Sequence, residues 1–136
     1  MGVRGIDHVA ITVEDVERTA GFYQSLLGAE VLFLDRFRTG EFPIVTLVIG
    51  ANRINVHPSP PRAPERLVAR RPTPGSVDIC FRWDGPLREA MALLERHGLP
   101  VIDGPSPRSA ADGSPATSVY TVDPDGNLIE FLTTDG

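Results

Sequence analysis

Four residues able to bind a metal ion or move a proton stand at related places in this sequence: His8, His57, Asp78 and Glu130. A neutral imidazole offers a nitrogen lone pair and a carboxylate offers oxygen. Two histidines and one carboxylate on one side of an ion leave positions open for water or substrate, as in non-haem Fe(II), Mn(II) and Zn(II) centres. His8, His57 and Glu130 are therefore the candidate metal ligands, for a divalent ion such as Fe, Mn, Zn, Ni or Co. Glu130 is also a candidate catalytic group. Asp78 is a second one: it can ligate directly, orient His8, hydrogen-bond backbone or serve as a proton-transfer base. Each residue has a plainer reading, because a strand histidine is commonly a hydrogen-bonded packing residue and a lone Glu is commonly a solvated edge residue. The remaining histidine, His97, precedes Gly98 at a helix end, where its role is to complement the helix dipole.

The elements that must position these residues repeat. From Ile6 to Val13 apolar and polar residues alternate as in a strand. From Asp15 the spacing of Val16, Ala20, Tyr23 and Leu27 is helical, and Gly28 supplies the stop. Strand-like runs follow at Glu30 to Leu34, Ile44 to Ile49 and Arg53 to His57, the last closed by Pro58, so the unit reads βαβββ. After a Pro- and Arg-rich connection the pattern restarts at Gly75, with a strand to Trp83 and a helix from Pro86 to His97. Laid over the first unit, Gly5 meets Gly75, His8 meets Asp78 and Gly28 meets Gly98; further on a small insertion shifts the match, so that His57 meets Glu130. The tail, Tyr120 to Phe131, is a hairpin turned at Asp123-Pro124-Asp125-Gly126, with Leu128, Glu130 and Leu132 on one face of the returning strand.

The expected fold is α+β: two tandem βαβββ modules, about 5–57 and 75–134, joined by a linker at 58–74 into a single domain, since either half alone is too small to bury an adequate core. A pseudo-two-fold between the modules would bring the four residues to one shared cavity. Arg53 and Asn55 share the face of His57 and are candidate substrate contacts for an anionic or carbonyl-bearing ligand. With 41% hydrophobic and 23% charged residues and a net charge of −5, the composition is that of a globular domain without the basic face nucleic acid requires. No apolar run is long enough to cross a bilayer and the start lacks a signal-peptide core, so a cytoplasmic location is expected. Cys80 is the only cysteine and reads as a small core residue. All 13 basic residues are Arg, which excludes Schiff-base chemistry on Lys.

The sequence resembles the vicinal-oxygen-chelate superfamily, which holds glyoxalase I, extradiol dioxygenases, fosfomycin-resistance thiol transferases and bleomycin-resistance proteins. The resemblance covers nearly the whole chain and is carried by Asp7-His8-Val9, Phe22-Tyr23, Leu26-Leu27-Gly28, Ile54-Asn55-Val56-His57 and Asp123 to Glu130. Arg71 to Cys80 and Gly104 to Arg108 are similar to a small subfamily known as glyoxalase domain-containing protein five. The resemblance implies a half-barrel cavity with metal ligands at His8, His57 and Glu130, Asp78 on the equivalent fourth strand, a homodimer, and a small-molecule substrate. Tyr120, ten residues before Glu130, matches a substrate-contacting tyrosine of the thiol transferases. Where glyoxalase I tends to carry Glu or Gln this chain has a His, which argues against methylglyoxal-glutathione as substrate. The segment Asp35 to Pro43 is longer than in the subfamily. Three functions follow in order: a metal-dependent lyase or isomerase acting on an oxygen-chelating substrate, a metal-free protein sequestering an antibiotic or metabolite, and a dioxygenase.

Overall fold

Helix α1 (Val16–Leu27) starts where the Asp15 carboxylate accepts the N–H of Arg18 at 3.0 Å, and it stops at Gly28, whose φ of 67° is the left-handed conformation that favours glycine. Its buried stripe, Val16, Ala20, Tyr23 and Leu26, packs on strands β3 (Val45–Ile49) and β4 (Asn52–Pro58). A computed structural model describes all 136 residues. The chain divides into two compact units, Met1–Gly75 and Ser76–Gly136.

The first unit carries a four-stranded sheet in the order β1-β4-β3-β2, with β1 (His8–Val13) parallel to β4 and β2 (Glu30–Leu32) at the far edge. One face is apolar: Ile11, Val13, Val45, Leu47, Ile54 and Val56 are all buried. The alternate residues, among them His8, Thr12, Thr46, Asn55 and His57, occupy the opposite face, as the two-residue period of a strand requires. The second unit repeats the plan with β5 (Asp78–Arg82), β8 (Leu128–Thr133), β7 (Pro115–Val122) and β6 (Asp103–Ser109) in that order, and β5 parallel to β8. Helix α3 (Leu87–Arg96) packs on β7 and β8 through Leu87, Ala90 and Leu94. The mixed α+β architecture of two βαβββ units is thus present.

One local expectation needs correction. The second strand was expected to run to Leu34, but β2 ends at Leu32, Phe33 turns the chain at a φ of 70°, and a short helix α2 (Leu34–Arg38) follows. Packing overrides the apolar run here: Phe37 is buried, the Arg62 guanidinium lies 4.2 Å from its ring centroid and donates to its carbonyl at 3.1 Å, and Arg38 donates to Glu17 at 2.9 Å. Phe22 is half-buried, and Tyr23 beside it is the buried aromatic. Pro58 ends its strand as expected: it is the last residue of β4, where it pairs with Val13.

The closing hairpin is held from inside. Asp123 Oδ1 accepts the backbone N–H groups of Asp125 and Asn127, both at 2.9 Å, and its Oδ2 accepts Asn127 Nδ2 at 2.8 Å. Asn127 Oδ1 in turn accepts the Val77 N–H at 2.9 Å, while Leu128 N–H donates to the Val77 carbonyl at 3.0 Å. One buried amide therefore ties the start of β8 to the chain entering β5, and so fixes the register in which Glu130 stands.

Candidate functional site

Glu130 projects from β8 on the face away from α3, half-buried, with Ile129 and Phe131 turned into the core. Its Oε2 accepts the hydroxyl of buried Ser118 on β7 at 2.6 Å. The sheet register sets Tyr120 and Cys80 directly beside it, one on each neighbouring strand. Asp78 lies on the same face two positions before Cys80, opposite Leu128. Tyr120 Oη accepts from Arg108 Nε at 2.8 Å, and that guanidinium sits 5.3 Å from the Tyr120 ring centroid. Glu130 also borders a cleft of about 460 Å³ shared with Cys80, Arg82 and Arg108.

Cys80 is not the core residue expected from its apolar neighbours. It is solvent-exposed on the Glu130 face, because alternation turns Ile79 and Phe81 the other way. Partial desolvation, the adjacent Glu130 charge and its hydrogen bond, and the Asp78 charge push the Cys80 thiol up to about 11, so it is protonated at neutral pH.

In the first unit the candidate residues spread along one face. His8 opens β1, with its Nδ1–H donating to the exposed Asp7 carboxylate at 2.8 Å, which leaves Nε2 as the nitrogen open to an acceptor or an ion. His57 lies at the other end of the parallel pair, opposite Thr12. Burial lowers its pKa and keeps the ring neutral, and its Nδ1 is buried with no hydrogen-bond partner. Both are chemically suited to bind a divalent ion. Their register does not bring them together, however: four positions along the strands is about 13 Å, whereas two nitrogens on one ion lie at most about 4 Å apart. Within neither unit do three His, Cys, Asp or Glu side chains gather into a metal-binding cluster.

The registers also revise the internal repeat. Ala10, the counterpart of Cys80, pairs with Asn55, and Cys80 pairs with Glu130, so Asn55 occupies the place of Glu130 and His57 lies two positions beyond it. Asn55 Oδ1 accepts the Thr46 hydroxyl at 2.8 Å, just as Glu130 accepts from β7. Arg53 is exposed beside His8. His97 caps α3, with Nδ1 3.0 Å from the Leu93 carbonyl. The sequence reading passed over Arg82, Arg108 and Ser118; for Arg108 the signal was its place among prolines on an edge strand, a pattern that resembles a loop.

Two βαβββ units, each with a helix on one sheet face and polar residues on the other, define the class. The chain belongs to the Glyoxalase/Bleomycin resistance protein/Dioxygenase superfamily, whose family model matches residues 5–131. It is similar to the virulence protein STM3117 of Salmonella typhimurium, 36% identical over 126 residues that make up 93% of this chain and 81% of that protein. The crystal structure of that protein superposes with a TM-score of 0.84 over 98% of both chains at 34% identity. The glyoxalase domain-containing protein RDO1 of Mycosarcoma maydis is 37% identical over 132 residues, 96% of this chain and 69% of that one. At 19% identity, a mutant of the fosfomycin resistance protein FosX from Listeria monocytogenes, crystallised with Mn(II), shares the fold with a TM-score of 0.67 over 97% of this chain and 93% of that one. No helix is long and apolar enough to cross a membrane.

Proposed function

We propose that the protein is a divalent-metal-dependent enzyme of lyase or isomerase type, acting on a small substrate that presents two oxygens. The observation that carries this reading is Glu130: a half-buried carboxylate aligned by Ser118 at 2.6 Å, bordering a cleft, on the sheet face turned away from the helix. In the second unit Glu130 is the metal donor we assign, and in the first unit His8 is the candidate donor. His57 brings an imidazole that burial keeps neutral, and its separation from His8 gives it a different part of the substrate or solvent network. A divalent ion so held would act as a Lewis acid on the chelating oxygens. The Ser118 hydroxyl orients the Glu130 carboxylate, Tyr120 offers a hydroxyl beside it, and Asp78, on the same face, is placed to move a proton. Arg53 and Asn55 are assigned to substrate positioning in the first unit.

The test begins with metal analysis of protein purified without a chelating tag, then titration of Mn, Fe, Co, Ni and Zn into wild type, Glu130→Ala, His8→Ala and His57→Ala, with His97→Ala as control. Affinity should fall steeply for Glu130→Ala and His8→Ala and hold for His97→Ala, and binding should weaken below about pH 6 as free imidazole is protonated. Aerobic and anaerobic substrate screens of the loaded protein then separate isomerase or lyase turnover from oxygen use. Equal affinity in wild type and Glu130→Ala, or a folded protein that takes up none of the five metals, overturns the reading.

A further inference from the structure

Arg108 belongs to both clefts of the second sheet. With Arg82 it lines the one of about 460 Å³ that holds Glu130, and with Asp103 and Tyr120 it lines another of about 360 Å³ that reaches Asp78. Surface arginines on edge strands are ordinarily mobile, but this one is fixed. Its Nε donates to Tyr120 Oη at 2.8 Å, its Nη1 donates to the Pro107 carbonyl at 2.7 Å, and its guanidinium stacks on the Tyr120 ring. The nearest anion to Nη2 is Asp103 at 4.0 Å, beyond hydrogen-bond length. Its side chain is 41% exposed, so donors held in a set direction face open space. Tyr120, having accepted from Arg108, keeps its own hydroxyl hydrogen to give. Across the first cleft Arg82 is held through Nη2 by the Thr134 hydroxyl at 2.8 Å. Two guanidiniums thus face one carboxylate, and the cleft is left with a net positive lining.

We propose that Arg108, assisted by Arg82 and the Tyr120 hydroxyl, is a specificity-determining clasp for an oxyanion, so that the substrate is a small carboxylate- or phosphate-type anion. This deepens the proposed function and rests on the Glu130 face being the reactive one. Because Tyr120 and the Pro107 carbonyl already hold the guanidinium, little side-chain freedom is lost when an anion arrives, and a charge-assisted fork is available at once. The carboxylate of Glu130 in the same cleft keeps the anionic group off its own position, which sets the reacting end of the substrate toward Glu130 and the anionic end toward Arg108.

The experiment titrates metal-free full-length protein with malonate, with inorganic phosphate and with neutral glycerol, following heat on binding and the unfolding midpoint. Malonate or phosphate should bind and glycerol should not, and the tighter of the two names the oxyanion class. Arg108→Gln should weaken that binding about tenfold or more, Arg108→Lys should restore part of it, and raised KCl should weaken it in wild type. Tyr120→Phe, which keeps the ring and removes the hydroxyl, should weaken it by less, and this variant decides the matter if Arg108→Gln does not fold. Equal malonate and phosphate affinity in wild type, Arg108→Gln and Tyr120→Phe, or no binding of either anion by wild type, overturns the proposal. Manganese titration of wild type and Arg108→Gln separates the two readings: metal uptake by both with anion binding lost only in Arg108→Gln keeps both, whereas anion binding by a wild type that takes no metal keeps the clasp and removes the metal enzyme.

Discussion

Replacing Asn127 by Ala tests whether one buried amide sets the register of the Glu130 strand. The side chain is 1% exposed and makes two bonds that Ala cannot replace: Nδ2 to Asp123 Oδ2 at 2.8 Å and Oδ1 from Val77 N–H at 2.9 Å. Removing it takes one bond from a backbone donor and one from a buried carboxylate. At about 1 to 3 kcal/mol for each such group, the expected loss is about 2 to 6 kcal/mol. For a chain of this size each kcal/mol lowers Tm by about 3 to 4 °C. Urea and thermal unfolding followed by circular dichroism read the loss. Asn127→Asp is the informative companion, since it restores an acceptor for Val77 but sets a second carboxylate against Asp123, and it should be no more stable than Asn127→Ala. A loss below about 1 kcal/mol in Asn127→Ala would mean that the backbone bond from Leu128 to Val77 holds the strand without help, and the clamp would be refuted.

Leu94→Ala removes a side chain fully buried between α3 and its sheet and should cost about 2 to 5 kcal/mol in urea unfolding; a loss near zero would detach α3 from the core. His57 has its folded pKa lowered by burial, so its contribution to stability is present above about pH 6.5 and is lost as pH falls. Urea midpoints should therefore drop more between pH 7.5 and 5 in wild type than in His57→Gln, and parallel drops would refute the burial argument. Cys80 has the opposite sign at the alkaline end: its folded pKa is raised to about 11, so stability is present below the ordinary thiol value near 8.5 and declines from there toward 11. Iodoacetamide should accordingly alkylate metal-free native protein more slowly at pH 8 than urea-unfolded protein, and equal rates would refute it. Sedimentation should show a dimer, as expected from unpaired strand edges, and a monomer persisting at high micromolar concentration would exclude it.

Period and punctuation made much of the fold legible. The Asp15 cap, the Gly28 stop and the alternation through β1 and β8 place their elements within a residue or two, because each is set by local chemistry. Glu130 was singled out by the same alternation, which sets it on one face with Leu128 and Leu132; that Ile129 and Phe131 fill the core-facing side comes from the structure. Helix α2 was not, since it depends on Arg62 and Glu17, residues distant in sequence that clasp an otherwise strand-like run. Strand β6 was hidden by Pro105 and Pro107, which an edge position tolerates and a central one would not. The partner of Glu130 in the repeat was misjudged by two positions, because residue identity favoured His57 whereas hydrogen-bond pairing selects Asn55.

The division of β8 between Ile129 and Phe131 on one side and Glu130 on the other has a consequence for how such a protein changes over generations. Residues that decide which molecule is held and residues that keep the chain folded alternate along the same few strands, yet contact different surroundings. Point substitutions at Tyr120, Arg108 or Cys80 can therefore redirect ligand preference with little toll on folding, whereas inserting or deleting a single residue within a strand would exchange the two sets at once. Length variation is driven into the connections, and a new binding preference is reached by single replacements on a framework that stays as it is.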